Sequence, residues 1–324
     1  MQKLIWIIDD EWPDYEIEQK IFREKLDDYT IKYTKPHELE RDLDDFGRYA
    51  DAVLSQISVP MTKAVIDRLE KCRIISNYGT GYNNVDVSAA TARGIKVGYI
   101  PGYCAEDIAD YVLGAMIYTI FPMGSFGPAI SAGRWGAQTV SGPVHRLETR
   151  TLFIAGMGRI GKAVAKKAVS AGVRVFAWGR SLTEEEAEKC GAKPVSMEEG
   201  LRSADFVSAH VKLTDETKGL FSKEYFNLMK QNAWLINTSR GGVVDQKALI
   251  EAVQSGVIAG AVLDVLEKEP PDADDPVLKT PGIVITPHIS YFSEEALSEL
   301  QRRAAETAAG VLNGQGMSDL VIQL

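Results

Sequence analysis

The stretch from Thr151 to Ala165 constrains the fold of this chain more than any other. It begins with β-favouring residues, passes through a Gly-x-Gly-x-x-Gly turn and continues with alanine, lysine and valine at helical spacing. In such a unit the first glycine makes a tight turn, the second lets the backbone approach a pyrophosphate, and the third lets the helix pack closely on the strand. The helix N-terminus offers free N–H groups to the anion. A dinucleotide site is therefore predicted at Gly156, Gly158, Arg159, Ile160 and Gly161.

The overall composition narrows the class of protein. The chain has 324 residues, 45% of them hydrophobic and 25% charged, which is ordinary for a soluble globular protein of two domains. A net charge of −9 argues against nucleic-acid binding, because that needs a basic surface. Cys72, Cys104 and Cys190 are too far apart in sequence to indicate a disulfide framework or a zinc site, so no metal is expected. The N-terminal strand meets Asp9 and Asp10 at once, unlike a signal peptide, and we expect a cytoplasmic protein.

One long uncharged segment, Tyr111–Gly133, is long enough to span a bilayer. Pro122, Pro128 and several glycines interrupt it, and no cluster of basic residues marks an inside end. We therefore predict a buried helix from Ala105 to Ile120, followed by an irregular loop and with no membrane partner.

Strand-like and helix-like segments alternate along most of the chain, which favours parallel sheets. In the first hundred residues Leu4–Ile8 and Ala52–Leu54 are typical of buried strands, and Glu16–Leu26 is typical of an amphipathic helix. The dinucleotide segment lies in the middle, and a long amphipathic helix over Ser293–Leu312 closes the chain. The predicted fold class is α/β, with two doubly wound parallel-sheet domains. A Rossmann domain at residues 102–288 is inserted into a flavodoxin-like substrate domain formed by residues 1–101 and 289–324.

Three short runs after the glycine turn carry the residues suited to chemistry. They are Ile236–Asp245, Leu263–Pro271 and Ile285–Ser290. Each begins near the end of an apolar strand, and open parallel sheets bind ligands at the carboxyl ends of their strands. The sequence therefore predicts that Arg240, Asp264, Glu269 and His288 converge on one crevice. Taken singly, a lone arginine is most often a solvated charge and a Pro-His turn is often only a loop.

The order and spacing of these runs resemble the D-isomer-specific 2-hydroxyacid dehydrogenases over nearly the whole chain. Similar runs in the first domain are Asn77–Asp86, Gly94–Val97 and Pro101-Gly102. Three further segments resemble the branch that contains the C-terminal-binding proteins and their bacterial relatives; these are Tyr103–Asp110, Gly142–Leu147 and Tyr291–Glu295. The resemblance also implies a homodimer that associates through the helical region at residues 105–120.

The resemblance implies that Arg240 holds the substrate, that His288 is the acid/base and that Glu269 is its partner. The chemistry agrees, because hydride transfer at a carbonyl carbon requires a proton at the oxygen in the same event. Histidine titrates near neutrality, a carboxylate on its other ring nitrogen fixes the tautomer, and arginine matches a carboxylate with a planar fork. The substrate-binding residues expected by the same resemblance are Tyr78, Gly79, Thr80, Gly81, Arg240, His288 and Tyr291.

The residue after the second strand of the dinucleotide domain bears on the choice of cofactor. NAD-preferring relatives carry an acid there that binds the ribose 2′-hydroxyl, whereas this chain has Gly179, followed by Arg180 and Ser181. An arginine fork suits a 2′-phosphate, so we predict NADP(H) as the preferred cofactor and NAD(H) as a second one. The alternative is that Arg180 points to solvent. The remaining predicted cofactor residues are Thr80, His210, Val211, Thr238 and Asp264.

The leading hypothesis is an NADP(H)-preferring dehydrogenase that reduces a 2-oxo acid to a D-2-hydroxy acid. Aromatic residues such as Tyr82 and Trp135 suggest a bulky pocket, although packing explains them equally well. Three alternatives stay open. One is a dinucleotide-sensing interaction module, the second is an NAD-dependent glyoxylate, hydroxypyruvate or phosphoglycerate dehydrogenase, and the third is a hydride-transfer enzyme that uses formate or phosphite.

Overall fold

The computed structural model describes residues 2–121, 123–140 and 143–321. Pro122 and Gly142, which belong to segments discussed above, lie outside these ranges, as do the last three residues of the C-terminal segment. The strands are β1 Lys3–Ile8, β2 Tyr29–Thr34, β3 Ala52–Gln56, β4 Ile74–Tyr78, β5 Lys96–Gly98, β6 Thr151–Ala155, β7 Arg174–Trp178, β8 Lys193–Pro194, β9 Phe206–Ala209, β10 Trp234–Asn237, β11 Gly260–Leu263 and β12 Ile283–Ile285.

The helices alternate with the strands along the chain. They are α1 Glu16–Lys25, α2 Leu39–Asp45, α3 Lys63–Ile66, α4 Val87–Ala92, α5 Ala105–Ile120, α6 Met123–Ser131, α7 Arg159–Ser170, α8 Glu184–Glu188, α9 Met197–Ser203, α10 Lys223–Phe226, α11 Gln246–Gln254 and α12 Glu294–Leu312. The chain folds into two compact units. Unit 1 runs from the N-terminus to Tyr103 and resumes at Ser293, whereas unit 2 spans Cys104–Phe292. The sequence predicts the two switches after residues 101 and 288.

Unit 1 is built on a five-stranded parallel sheet in the order β2-β1-β3-β4-β5, which is the flavodoxin-like order. The central strands β3 and β4 are buried along their whole length because both faces of the sheet are covered, whereas the edge strand β2 is partly exposed. Along β1, Ile5 and Ile7 face the cluster that includes α1 and α12, while Trp6 and Ile8 face the opposite cluster.

Unit 2 contains a seven-stranded parallel sheet in the order β12-β11-β10-β9-β6-β7-β8. Counted from β6, the first six strands have the 3-2-1-4-5-6 order of dinucleotide-binding folds, and β12 extends the sheet by one strand. The order reverses direction at β6, so the ends of β6 and its neighbours β7 and β9 lie at the switch point, where such sheets bind ligands. The α/β class with two parallel sheets is therefore confirmed.

The segment around residues 105–131 differs from the sequence prediction in two ways. Helix α5 buries one face only, because Glu106, Asp110 and Tyr118 on its other side are exposed. The predicted irregular loop is wrong for Met123–Ser131, which forms α6 with Pro128 inside it. A proline removes one N–H, but its carbonyl still accepts from Ala132 N at 3.0 Å, so the helix continues past it. In the described part of the chain no helix has both the length and the hydropathy to cross a membrane.

Candidate active site

The glycine turn after β6 has the geometry that a pyrophosphate cradle needs. Gly156 has a φ of 110°, and a Cβ there would lie 2.5 Å from the carbonyl oxygen of His210. A Cβ on Gly161 would lie 2.1 Å from the carbonyl oxygen of Gly156, so only glycine lets α7 pack this close. In contrast, a Cβ on Gly158 would meet nothing within 4 Å. The backbone at Gly158 therefore faces open space at the N-terminus of the 12-residue helix α7.

The loops after β10 and β11 pack against each other so tightly that a side chain does not fit between them. A Cβ added to Gly241 would lie 1.9 Å from the backbone of Leu266. Leu266 N in turn donates a hydrogen bond to Glu269 Oε1 at 2.8 Å. Gly241 follows Arg240 directly, so this close approach brings the arginine loop to the loop that carries the glutamate.

The imidazole of His288 and the carboxylate of Glu269 form the central pair of this site. His288 Nδ1 lies 2.6 Å from Glu269 Oε2, and both side chains are partly open, with 28% and 37% of their areas exposed. Partial burial raises the pKa of Glu269, but the hydrogen bond and charge of His288, the Leu266 N–H and the charge of Arg240 outweigh it and hold that pKa below its ordinary value. The carboxylate is thus kept ionised, and it holds Nδ1 as the protonated nitrogen while Nε2 is left for a ligand.

The backbone that carries His288 is strained and held by Asp264. His288 has a φ of 53°, a left-handed conformation that costs on the order of 1–3 kcal/mol in a residue with a side chain. Asp264 is 1% exposed, and its Oδ1 and Oδ2 accept the backbone N–H groups of Ile289 and Ser290 at 2.8 and 2.9 Å. Its carbonyl accepts from His288 N at 2.9 Å. The sequence predicts Asp264 as a cofactor-binding residue. In the structure both of its carboxylate oxygens accept hydrogen bonds from the loop that carries His288, residues 286–290, which is the histidine loop.

Arg240 extends from an Asx turn at the end of β10. Asn237 Oδ1 accepts from Ser239 N at 3.0 Å, and Asn237 Nδ2 donates to the carbonyl of Arg240 at 3.0 Å, which fixes the direction of the chain there. Among the described residues the Arg240 guanidinium has one hydrogen-bond acceptor, the Ser239 carbonyl, at 2.7 Å from Nη1. The other edge of the planar fork is thus open for a carboxylate ligand.

Thr238 lies in the same turn as Arg240. Its side chain is 7% exposed, and its Oγ1 has no partner among the described residues. A buried hydroxyl without a partner costs free energy, so this atom fits a ligand group such as that of a dinucleotide. Two observations therefore fit the predicted dinucleotide: the unpartnered hydroxyl of Thr238 and the open space beside Gly158.

Arg180, the residue predicted to bind a 2′-phosphate of the cofactor, already has a partner in this structure. Arg180 follows Gly179 after β7 and forms an ion pair with Glu216, which lies beyond β9, and both side chains are largely exposed. Ser181 is exposed beside them. Glu216 was not predicted, because it is 36 residues away in a run of charged residues without a pattern.

His210 and Val211 lie behind the glycine turn, at the end of β9. His210 N donates to the Ala155 carbonyl at 2.8 Å, and its Nε2 lies 2.8 Å from Ser208 Oγ. Burial lowers the pKa of His210 to about 4, so the ring is neutral at pH 7. The backbone of His210 therefore supports the glycine turn. Val211 beside it packs on the core of unit 2.

The predicted carboxylate-binding loop in unit 1 is held from several sides. The Tyr78 side chain is 2% exposed and its hydroxyl donates to Glu18 Oε1 at 2.7 Å, so only its backbone is left for a substrate. Asn77 Nδ2 donates to the Gly81 carbonyl at 2.7 Å, and Thr80 Oγ1 donates to the Ile100 carbonyl at 2.9 Å. Ile100 N returns a bond to the carbonyl of Gly79 at 2.8 Å, the loop being thereby fixed within its own unit.

Comparison with known proteins gives a consistent result. Residues 113–290 match the family described as "D-isomer specific 2-hydroxyacid dehydrogenase, NAD binding domain". A glyoxylate reductase of Korarchaeum cryptofilum (strain OPF8) is 38% identical over 277 residues, which is 84% of this chain and 83% of that protein. The chain belongs to the D-isomer-specific 2-hydroxyacid dehydrogenase family.

Other known proteins are similar in sequence or in fold. A D-3-phosphoglycerate dehydrogenase of Methanocaldococcus jannaschii is 34% identical over 84% of this chain and 52% of its own length. The crystal structure of the TT0316 protein from Thermus thermophilus superposes with a TM-score of 0.85 at 30% identity, covering 98% of this chain and 100% of that one. This chain is thus an NAD(P)-dependent oxidoreductase that acts on the CH–OH group of a D-2-hydroxy acid. The branch with the C-terminal-binding proteins stays a prediction.

Two residues at the dehydrogenase's histidine loop were not predicted. Thr286 Oγ1 donates to Asp264 Oδ1 at 2.6 Å, and Tyr111 Oη lies 2.6 Å from the same Thr286 Oγ1. Thr286 is two residues from His288 and could have been noticed from that proximity. Tyr111 lies 175 residues away in sequence on α5, so no local pattern points to it. The ring of Tyr291 was predicted at the site, and its centroid lies 6.4 Å from that of His288.

Proposed function

We propose that this dehydrogenase reduces a 2-oxo acid to a D-2-hydroxy acid with NADP(H) as its preferred cofactor and with His288 as the acid/base. The observation that carries the proposal is the 2.6 Å contact between His288 Nδ1 and Glu269 Oε2. It orients one ring nitrogen with a carboxylate and leaves the other for a substrate oxygen, which is the arrangement that proton transfer requires.

Each residue of the site has a defined task in this mechanism. The nicotinamide, when bound, supplies or accepts the hydride. His288 Nε2 gives a proton to the substrate oxygen during reduction and takes it back during oxidation. Glu269 keeps Nδ1 protonated and stabilises the imidazolium form. Arg240 binds the substrate carboxylate with the open edge of its fork.

The acid/base proposal is tested by His288→Ala. We expect kcat/KM for oxo-acid reduction to fall by about 10²–10⁴-fold, which is the usual contribution of a general acid. The dissociation constant for NADPH, measured by fluorescence titration, should stay unchanged because the glycine turn is intact. His37→Ala is the matched control, since His37 is exposed in unit 1. Unchanged turnover in His288→Ala would contradict the proposed role and favour an interaction module that senses the dinucleotide.

The cofactor preference is supported by the residues after β7. Gly179 carries no acid to repel a 2′-phosphate, and Arg180 and Ser181 are exposed beside it. Arg180 must exchange Glu216 for the phosphate, and exposed ion pairs of this kind are worth only about 0–1 kcal/mol. The ratio of kcat/KM for NADPH to that for NADH tests this. We expect a ratio of about tenfold or more, reduced toward one in Arg180→Ala. A ratio at or below one in the wild type contradicts the preference.

The identity of the 2-oxo acid is tested with a panel of substrates. Similar proteins are named glyoxylate reductase and D-3-phosphoglycerate dehydrogenase, so small polar oxo acids are the first to assay. Tyr82 and Tyr99 pack edge to face at 5.4 Å in unit 1, which supports the hypothesis of an aromatic pocket. A panel of glyoxylate, hydroxypyruvate, pyruvate and aryl or branched 2-oxo acids distinguishes them. Best turnover of glyoxylate contradicts the bulky pocket, whereas best turnover of an aryl acid supports it.

We also propose that the protein is a cytoplasmic homodimer. Beyond the middle of α5 the chain exposes large apolar side chains, and exposed apolar groups of this size mark interfaces when they lie together. The exposed residues are Tyr118, Phe121, Met123, Ile130, Trp135 and Val140. Light scattering should give twice the mass of the 324-residue chain, and Trp135→Glu should shift the equilibrium toward the monomer. A monomer in the wild type contradicts this part of the proposal.

A further inference from the structure

The hydroxyl of Thr286 joins two distant parts of unit 2. It donates to Asp264 Oδ1 at 2.6 Å and lies 2.6 Å from the phenol oxygen of Tyr111. A hydroxyl has a single proton, which Thr286 gives to the carboxylate. Tyr111 is therefore the donor to Thr286. The result is a directed chain of hydrogen bonds from α5 through Thr286 to Asp264.

The far end of this chain is the backbone on both sides of His288. Asp264 accepts the N–H groups of Ile289 and Ser290 through its two carboxylate oxygens, while its carbonyl accepts the N–H of His288. His288 itself has a φ of 53°, which a residue with a side chain holds only when its surroundings fix it. The orientation of the imidazole thus depends on where the Asp264 carboxylate lies.

The position of Tyr111 suits a permanent donor. Its side chain is half-buried on α5, and burial raises the pKa of the phenol. The phenol therefore stays protonated over the pH range in which a histidine works. Because α5 is a 16-residue helix packed along α7, the oxygen at Tyr111 is a rigid anchor rather than a loop group.

We propose that Tyr111 is a positioning residue for His288, which it orients through Thr286 and Asp264. It touches neither substrate nor cofactor in this role. The inference rests on the proposed function of His288 and adds a residue that no motif of the chain marks. Tyr111 fixes the angle at which the imidazole meets the substrate oxygen, so its loss slows the chemical step and leaves ligand binding unaffected.

Kinetics of four variants test this chain of hydrogen bonds from Tyr111 through Thr286 to Asp264, which is the relay. Tyr111→Phe should lower kcat about tenfold with KM and the NADPH dissociation constant within about twofold of wild type, because a misaligned proton donor slows chemistry only. Thr286→Val should lower kcat at least as much, and Thr286→Ser, which keeps the hydroxyl, should restore it. In the double variant Tyr111→Phe adds nothing to Thr286→Val, since Tyr111 acts only through that hydroxyl.

The matched control is Tyr225→Phe, which removes a phenol oxygen from a partly buried tyrosine packed on the core of the same unit. It should leave kcat unchanged. A kcat of Tyr111→Phe within about twofold of wild type overturns the proposal, as do effects of the two single variants that multiply in the double variant.

A second measurement reads the relay without turnover. Hydrogen exchange at the amides of Ile289 and Ser290, which donate to Asp264, should be faster in Tyr111→Phe and Thr286→Val than in wild type and Tyr225→Phe. Unchanged exchange overturns the relay, whatever the activity. If His288→Ala keeps full activity, the acid/base role of His288 falls, and the exchange result still decides whether Tyr111 holds the loop. Thermal unfolding of each variant separates a local effect from a general loss of stability.

Discussion

Two glutamates, one in each unit, show opposite ways of holding a carboxylate. Glu269 of unit 2 is partly open. Burial raises its pKa, but the hydrogen bond and charge of His288, with smaller contributions from the Leu266 N–H and the charge of Arg240, hold it below the ordinary value. Glu18 of unit 1 is 0% exposed and accepts bonds from Tyr78 Oη at 2.7 Å and Gln301 Nε2 at 3.4 Å. Burial raises the pKa of Glu18 to about 7 and outweighs both bonds.

The difference lies in the partners. Neutral donors surround Glu18, and the nearest acid adds a repulsion, because Asp9 raises its pKa further. Asp9 itself accepts from Tyr15 Oη and Gln56 Nε2 at 2.7 Å each. A hydrogen-bonding imidazole and the Arg240 guanidinium face Glu269 instead. A carboxylate that serves proton transfer must stay ionised next to its histidine, whereas a buried one with neutral partners makes stability depend on pH. We therefore expect Glu269 to control catalysis and Glu18 to control the stability of unit 1.

The largest expected effect is that of Glu269→Gln. The amide preserves the shape of the side chain but removes the charge that fixes the histidine tautomer. We therefore expect kcat/KM for oxo-acid reduction to fall by about 10²–10⁴-fold. Steady-state kinetics with NADPH measure it. Glu267→Gln, an exposed change on the same loop, should have no effect. A fall of less than about tenfold removes the distinction between the two glutamates.

Glu18→Gln should act on stability. The folded-state pKa of Glu18, about 7, is raised above the ordinary 4.5, so its contribution to stability is fully present below about pH 4.5 and is lost as pH rises through about 7. Glutamine does not titrate, so the Glu18→Gln variant does not lose stability through this group as pH rises. Relative to wild type its free energy of unfolding should rise by about 3 kcal/mol between pH 4.5 and 8. Urea unfolding of both proteins across that range measures the difference.

The matched control for Glu18→Gln is Glu16→Gln, an exposed change on the same helix. Its unfolding free energy should follow that of wild type at every pH. A difference between Glu18→Gln and wild type that stays constant with pH means that Glu18 does not titrate in this range, and the contrast with Glu269 is then wrong.

The smallest effect is expected at the exposed ion pair of Arg180 and Glu216. Glu216→Gln frees Arg180 for a 2′-phosphate, so the ratio of kcat/KM for NADPH to that for NADH should rise about threefold, in line with the weakness of exposed pairs. The control is Asp215→Asn, which removes the same charge one residue away. An equal rise in both variants indicates a general charge effect, and no rise in either means that Arg180 does not bind the phosphate.

The parts of this fold that the sequence predicts are those whose signal is local. The strand before Gly156 and the spacing of its glycines predict the phosphate turn, and close backbone contacts at Gly156 and Gly161 explain why two of these positions need glycine. Arg240, Glu269 and His288 are predictable for a related reason, since strand ends in a parallel sheet meet at one edge. The 2.6 Å contact between His288 and Glu269 agrees with that expectation.

Other features depend on contacts between distant segments and have no local pattern. Tyr111 meets Thr286 across 175 residues, and Arg180 meets Glu216 across 36. The burial of Glu18 follows from the packing of α12 onto α1, which the periodicity of either helix alone does not determine. The sequence does not predict helix α6, because proline and glycine usually end helices, although one lost N–H does not by itself end a helix.

Whether His288 and Glu269 act as one acid/base unit can be measured with a double-mutant cycle. Single-turnover oxidation of NADPH by the best oxo acid is measured for wild type, His288→Ala, Glu269→Gln and the double variant. Residues that act as a unit are strongly non-additive. We expect the double variant to be as slow as His288→Ala and no slower. If the two fold-losses in rate multiply instead, the residues act independently, and the proposed acid/base unit is wrong.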